Sequence, residues 1–252
     1  MSGDVVRQRH SLAGWWVPLA WLALLLALSL GMGLLEGPLR VIEPDSRDVL
    51  YVRASFLALL GQHVMVVGLA SLLAVLLGVG GAVAVTRPAG RDFLPLVTQL
   101  ASIGQTFPPV AVLALAVPAL GFGTLPIVVA LLLYGLLPIV RNTLAGIQGI
   151  DPGVHEAARG MGMTPGQILR QVELPLAAPV ILAGVRTSVT INVATAAIGA
   201  TVGASNLGDP IISGIVNGNT AYVLQGALLI GLLAITVDSA FERLQRRVVR
   251  QG

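Results

Sequence analysis

Long runs without a charged residue dominate this sequence and restrict where it can fold. Residues 54–86 and 93–140 contain no Asp, Glu, Lys or Arg. A helix needs about 20 mainly apolar residues to cross a bilayer, so the second run is long enough for two crossings. Of the 252 residues, 55% are hydrophobic and 11% are charged, whereas soluble domains are about 25% charged. We therefore predict an all-α polytopic membrane protein.

Reading the uncharged runs in order predicts six transmembrane helices. The run nearest the N-terminus, residues 15–35, is longer than a signal-peptide core and has no small-residue cleavage site. We therefore expect a retained helix rather than a cleaved signal. A charged loop, residues 36–53, follows it. The run 93–140 should hold two helices joined by a hairpin at residues 121–126, and the last helix should begin near Thr220. The predicted spans lie in residues 15–35, 54–86, 93–140 (two spans), 187–208 and 210–237.

The distribution of arginine predicts the orientation in the membrane. All 15 basic residues are arginine, and with a cytoplasmic N-terminus the external loops would hold only Arg40, Arg47 and Arg53. By the positive-inside rule, both termini are then cytoplasmic. Without lysine the chain cannot form a Walker A motif. We expect no cofactor in this chain and no nucleic-acid partner. If ATP drives the protein, another chain must bind the ATP and Mg.

A polar segment, residues 151–175, lies between apolar runs. Asp151-Pro152 and Thr164-Pro165 each combine an N-cap residue with proline at the first helical position. Gly162 should form an elbow with positive φ after the first helix. Pro175 is expected to end the second helix. We predict two short helices outside the membrane.

A sequence motif runs through the same polar segment. Residues 156–158 read Glu-Ala-Ala, a glycine follows at 162, and residues 172–175 read Val-Glu-Leu-Pro. Residues 151–175, called the coupling segment below, therefore resemble the EAA loop of ABC importer permeases. The family pattern is EAA-x3-G-x9-I-x-LP, and only Val172 departs from it. In that family the loop is a coupling helix that binds the ATPase subunit. The resemblance implies this coupling role for Glu156, Ala157, Ala158, Gly162, Leu174 and Pro175.

From about residue 60 to 245 the chain resembles the permeases of osmoprotectant importers for glycine betaine, carnitine and choline. The stretches that carry this resemblance include residues 105–108 (QTFP), 134–143 (YGLLPIVRNT) and 203–209 (GASNLGD). Methionine and other amino-acid permeases share part of them, so an amino-acid importer is the alternative. The resemblance implies the type I importer permease fold in the cytoplasmic (inner) membrane of a bacterium.

The resemblance also implies the organisation of the chain and its partners. We expect one transmembrane domain, residues 1–252, with a tail, first helix and external loop in residues 1–52 and a permease core in 53–245. The implied partners are ATP-binding cassette ATPase subunits and a second permease copy, as a homodimer or a related heterodimer. A periplasmic or lipid-anchored substrate-binding protein would deliver the solute, and lipid would surround the spans.

Polar residues inside the predicted spans are candidates for the translocation pathway. The two prolines that follow Phe107 remove backbone donors, and the carbonyls that they free can line a cavity. In the predicted fifth span, one helical face carries Ser188, Asn192 and Thr195. The alternative is that these side chains pack helices together, and the sequence leaves both possibilities open. The candidates are Gln105, Pro108, Pro109, Ser188, Asn192 and Thr195.

Two further observations bear on the mode of transport. Aromatic residues make up only 4% of the chain, too few for a cage around a quaternary ammonium, so tight recognition is expected in a separate binding protein. Among ionisable residues only His63 is expected near a span, as an interfacial side chain. Proton- and ion-coupled carriers place charges inside the membrane, so an ion-coupled secondary transporter is the less favoured alternative.

Overall fold

The computed structural model describes residues 15–251, and within them α-helices form one bundle. The predicted cytoplasmic tail, residues 1–14, lies outside the described residues. The α-helices are α1 (Trp16–Leu30), α2 (Glu36–Ile42), α3 (Phe56–Val85), α4 (Leu94–Thr106), α5 (Pro109–Leu120), α6 (Thr124–Gln148), α7 (Pro152–Gly160), α8 (Pro165–Ile168), α9 (Leu174–Thr195), α10 (Gly208–Asn217) and α11 (Thr220–Gln251). Short 3-10 segments cover Met32–Leu35, Arg91–Phe93 and Ala196–Val202, and a π-helical turn covers Leu169–Glu173.

Four helical stretches are long and apolar enough to cross a membrane unbroken. They are Phe56–Val85, Thr124–Gln148, Pro165–Val202 and Thr220–Val249. Two further spans are broken helices: α1 is bent by 82° against Met32–Ile42, and the α4 region by 100° against α5. Counting each bent pair as one span gives the six spans predicted from the sequence.

The break between α4 and α5 lies at the two prolines that the sequence analysis singled out for their missing backbone donors, Pro108 and Pro109. Phe107 is extended, with φ −87° and ψ 141°, because the ring of a following proline excludes the helical conformation. The hairpin after α5 is also as predicted. Gly121 and Gly123 have φ of 78° and 110°, a region that only glycine enters without strain, and α6 begins at the next residue.

Helix α6 lies at the centre of the bundle, between α3 and α9. Glycines permit the close approach: a Cβ on Gly78 of α3 would lie 2.8 Å from Ile139 Cγ2, and one on Gly135 of α6 would lie 2.5 Å from Ser188 Oγ. Close packing of small residues is how membrane helices associate. The bundle has two ends, called here the Arg87 end, with the coupling segment, and the Tyr51 end, with residues 43–55 and 203–219.

Two predicted boundaries are wrong, and one short helix was not predicted. Residues 36–53 are not all loop, because Glu36–Ile42 form α2. The fifth span does not begin at residue 187 but at Leu174, and it ends in the 3-10 segment Ala196–Val202. Between the last two spans the chain forms α10, a short helix that was not predicted.

Pro175 does not end the second helix of the coupling segment. Helix α8 continues through the π-helical turn Leu169–Glu173 into α9, with Pro175 in the first turn of α9. Proline breaks an α-helix because it lacks the N–H and its ring clashes with the carbonyl four residues earlier. A π-helical turn is wider and bonds one residue further back, so it accommodates the proline without a stop.

Candidate functional site

The coupling segment folds as two short helices at the Arg87 end, and local caps fix both. Asp151 Oδ1 accepts a hydrogen bond from the backbone N of Gly153 at 2.6 Å, at the start of α7. Thr164 and Gln167 form a reciprocal capping box at the start of α8, which satisfies donors that have no partner within the helix. Gly162, between the helices, has φ of 78°. The predicted caps and the predicted elbow are confirmed.

Glu173 ties this segment to the rest of the bundle. Its Oε2 lies 2.5 Å from Nη2 of Arg87, in the turn after α3, and its Oε1 lies 3.2 Å from Nε2 of His155, in α7. The Glu173 residue is only 4% exposed. A carboxylate has two acceptor oxygens, and here each oxygen serves a different segment. One buried side chain therefore joins α7, the start of α9 and the α3–α4 turn.

An open cavity of about 690 Å³ lies beside Glu173. Arg87, His155, Glu156 and Arg159 line it together with Glu173. Charged groups of both signs at a half-open surface suit a polar protein partner, because complementary charges orient the approach of a partner and fix its register.

The six residues predicted for ATPase coupling lie together in this region. Ala158 is 1% exposed and anchors α7 against the bundle, whereas Glu156 and Ala157 are exposed on the other side of the helix. Gly162 and Pro175 are exposed and Leu174 is partly buried. Helix α7 thus has one buried face and one exposed face. The buried face can pack against this chain while the exposed face contacts a partner protein.

Gly162 and Gly160 offer a matched test of the elbow. An added Cβ would meet no atom within 4 Å at either position, but only Gly162 has positive φ. Gly162→Ala is expected to destabilise the elbow by about 1 kcal/mol, since L-residues pay that cost in the left-handed region. Gly160→Ala should be neutral. Thermal unfolding of the purified permease measures both, and equal melting temperatures would contradict a requirement for positive φ.

Two of the predicted pathway residues lie inside the bundle of this single chain. Ser188 and Asn192 are both 0% exposed, and Asn192 Nδ2 donates to Ser71 Oγ of α3 at 3.1 Å. Ser188 also lies against Gly135 of α6. Thr195, the third residue of the predicted face, is partly buried. This geometry favours the packing alternative for Ser188 and Asn192.

The other predicted pathway residues lie at the break between α4 and α5. Gln105 and Pro108 are exposed and Pro109 is partly exposed. Gln105 Nε2 donates to the carbonyl oxygen of Tyr134 at 2.9 Å, and the Tyr134 hydroxyl donates to the carbonyl oxygen of Phe107. The bond to Phe107 satisfies a carbonyl that the break leaves free, and the bond to Tyr134 satisfies a carbonyl of α6 that has no intrahelical donor because residue 138 is proline. Together they hold the bent span against α6.

The expectation that the spans carry almost no ionisable group is wrong. Arg186 of α9 forms two 2.6 Å hydrogen bonds with the carboxylate of Asp238 in α11. His63 lies inside the bundle: it is 0% exposed, and its Nε2 lies 3.0 Å from the carbonyl oxygen of Val193. That carbonyl is near the end of α9, where the helix tightens into the 3-10 segment and intrahelical partners are lost.

The pairing of Arg186 with Asp238 was not predicted, because each residue was considered without the other. Arg186 was used as a boundary marker for a span, and Asp238 as the end of another. The available signal was that an arginine and an aspartate each interrupt an apolar run, and charges in such runs are usually paired with each other. Glu173 carried a similar signal, as the acid directly before Leu174-Pro175.

The chain is similar in sequence to a family of membrane transport proteins. Residues 74–250 match the family model of the binding-protein-dependent transport system inner membrane component. The osmoprotectant import permease protein OsmY of Salmonella typhimurium is 42% identical over 202 residues, covering 80% of this chain and 86% of that protein. The choline transport system permease protein OpuBB of Bacillus subtilis is 38% identical over 191 residues, covering 76% and 87%.

A solved structure shares the fold. A chain of the MetNI methionine ABC transporter, determined in inward-facing conformations, superposes with a TM-score of 0.67 at 25% identity, covering 76% of this chain and 95% of that chain. Both the sequence and the structural match extend over most of the bundle. The chain thus belongs to the family of binding-protein-dependent transport system inner membrane components, the permease subunits of ABC importers, which leave ATP hydrolysis and solute binding to partner subunits.

Proposed function

We propose that this chain is the permease of an ABC importer for a compatible solute, a quaternary ammonium compound such as glycine betaine, choline or carnitine. The observation that carries the proposal is the similarity to relatives whose names specify osmoprotectants, choline and carnitine, at 36–42% identity over about three quarters of the chain or more. The methionine transporter, which represents the amino-acid alternative, is 25% identical.

We further propose that the Arg87 end faces the cytoplasm and binds the ATPase. Support comes from the arginines, which are concentrated at this end and in the C-terminal part of α11, as the positive-inside rule requires. It also comes from the exposed side of α7 with Glu156 and from the adjoining cavity. The permease core would be residues 53–245.

The translocation pathway is proposed at the break between α4 and α5, in a dimer with a second permease copy, identical or related. Gln105, Pro108 and Pro109 are accessible there, and a broken helix at membrane depth is tolerated where it is buried in protein or lines a water-filled cavity. The rest of α4 exposes Gln99 and Thr106, which a cavity suits better than lipid.

Transport by the complete complex in vesicles tests the solute class. With receptor and ATPase present, we expect ATP-dependent uptake of labelled betaine or choline in preference to methionine and proline. Collapse of the proton gradient should leave the initial rate unchanged, and an ATPase subunit without its Walker A lysine should stop uptake. Preferential methionine uptake would support the amino-acid alternative, and a rate that follows the gradient would contradict an ABC importer.

A further inference from the structure

A second, smaller cavity lies at the Tyr51 end, and none of the pathway or coupling residues lines it. Its volume is about 370 Å³, at the low end of the range for small-molecule sites. The segment before α3 forms one wall, and α10 with the turn that precedes it forms the other. The polar residues that line it are Tyr51, Arg53, Ser205, Asp209, Ser213 and Asn217.

The cavity contains one positive and one negative side chain that do not pair with each other. Within residues 15–251, neither Arg53 nor Asp209 has an ion-pair partner within 4.0 Å. Arg53 is exposed and Asp209 is partly buried, and burial raises the pKa of Asp209. Opposite charges that share a cavity but stay apart leave room for a ligand that carries both charges.

The walls of the cavity are held in place by the surrounding bundle. The Tyr51 ring packs edge-on against Tyr222 at 5.6 Å, and its backbone N donates to Gln225 Oε1 at 3.1 Å. Asn219 Nδ2 donates to the carbonyl oxygen of Asp48 at 2.8 Å. A site on a fixed frame loses little entropy when a ligand binds.

Tyr51 is close enough to respond to both charges. The pKa of Tyr51 is raised, first by burial and then by the negative charge of Asp209, and the positive charge of Arg53 opposes this rise. The phenol is therefore within electrostatic reach of both charged groups. It adds a neutral hydroxyl group to the lining of the cavity.

We propose that this cavity is the first site on the permease to receive a zwitterionic solute, with its quaternary ammonium beside Asp209 and its carboxylate beside Arg53. The proposal rests on the proposed function, because it assumes that the importer carries such solutes. The site faces the side opposite the ATPase-binding end, where a receptor would release solute. Both charges remain accessible to water, so binding is weak, as a site that must also release its solute requires.

The test compares a zwitterion with a cation in the complete complex at saturating receptor. Arg53→Gln is expected to lower kcat/KM for glycine betaine about tenfold, the loss typical of one charge-assisted contact. Choline has no carboxylate, so its kcat/KM should change less than about twofold. Asp209→Asn should lower both. Arg53→Lys should retain most betaine transport, and Arg47→Gln, an exposed arginine of the same segment outside the cavity, should change neither solute.

Three other results would contradict the proposal. Equal losses for betaine and choline in Arg53→Gln, with an altered dependence on receptor concentration, would assign Arg53 to receptor docking. If the parental complex transports only betaine, the comparison of Arg53→Lys with Arg53→Gln replaces the comparison of solutes. Equal losses of kcat/KM for betaine in these two variants would rule out charge pairing between Arg53 and the carboxylate. A parental complex that transports neither solute refutes the proposed function and this site with it. Thermal unfolding of each variant excludes loss of fold as the cause.

Discussion

Replacing Glu173 with leucine is expected to abolish receptor-stimulated ATP hydrolysis in the assembled importer. Leucine removes both acceptor oxygens, so Arg87 and His155 lose the group that holds them together. Helix α7 could then move without moving α9 or the α3–α4 turn. We expect ATP hydrolysis to continue at its basal rate while solute uptake falls by at least about tenfold. The free energy of unfolding should fall by about 1.5–3 kcal/mol, the range for a hydrogen bond to a charged group.

A graded series separates the connection from general destabilisation. Glu173→Gln keeps the size and one acceptor but loses the charge, so its effect should lie between those of the parental chain and Glu173→Leu. Glu242→Gln is the control, because Glu242 pairs with Arg246 four residues later on an exposed surface and such pairs contribute about 0.5 kcal/mol. Full receptor stimulation in Glu173→Leu would contradict the role assigned to this carboxylate.

Replacing Gly104 with alanine is expected to detach α4 from α6. An added Cβ would lie 2.2 Å from the carbonyl oxygen of Leu133 and 2.7 Å from its carbonyl carbon. Backbone atoms of a central helix cannot move aside as a flexible side chain can, so α4 must move away. The hydrogen bond from Gln105 to the Tyr134 carbonyl would then break. We expect a loss of about 3 kcal/mol, at the upper end of overpacking costs.

Gly81→Ala is the matched control for Gly104→Ala. Gly81 lies in α3 near the same helix α4, but an added Cβ would meet only Val97 Cγ1 at 3.8 Å, an ordinary contact. Alanine also favours the helix over glycine. Thermal unfolding and the yield of assembled complex measure both variants. A Gly104→Ala permease that assembles with the parental melting temperature would show that α4 and α6 can separate without cost.

Features that depend on neighbouring residues in the sequence were predicted well. The caps at Asp151 and Thr164, the elbow at Gly162 and the start of the last helix at Thr220 each follow from a few adjacent residues. The extended residue before Pro108 follows from local sterics in the same way. Local chemistry decides these features, so no knowledge of the tertiary fold was needed.

Features that depend on distant residues were not predicted. Glu173 lies 86 positions from Arg87, and Arg186 lies 52 positions from Asp238, so the residues adjacent to each group do not identify its partner. The burial of Asn192 depends on Ser71 and Gly135, which two other helices supply. The predicted spans end at charged residues. That rule fails for Arg186 and Asp238, because each lies within a long helix and is paired with the other.

The second half of the coupling segment is the end of a long helix, because α8 continues through the π-helical turn into α9 without a break. Pro165–Val202 is a single helical stretch of 38 residues, about 57 Å long at about 1.5 Å per residue. Its far end reaches Ala200, which lines the small cavity at the Tyr51 end. Tilting such a rod by about 5° around its middle moves each end by about 2.5 Å in opposite directions. A displacement at the proposed ATPase-binding surface, once the Glu173 contacts pass it from α7 to this helix, would therefore also move the helix end at the cavity proposed to receive solute.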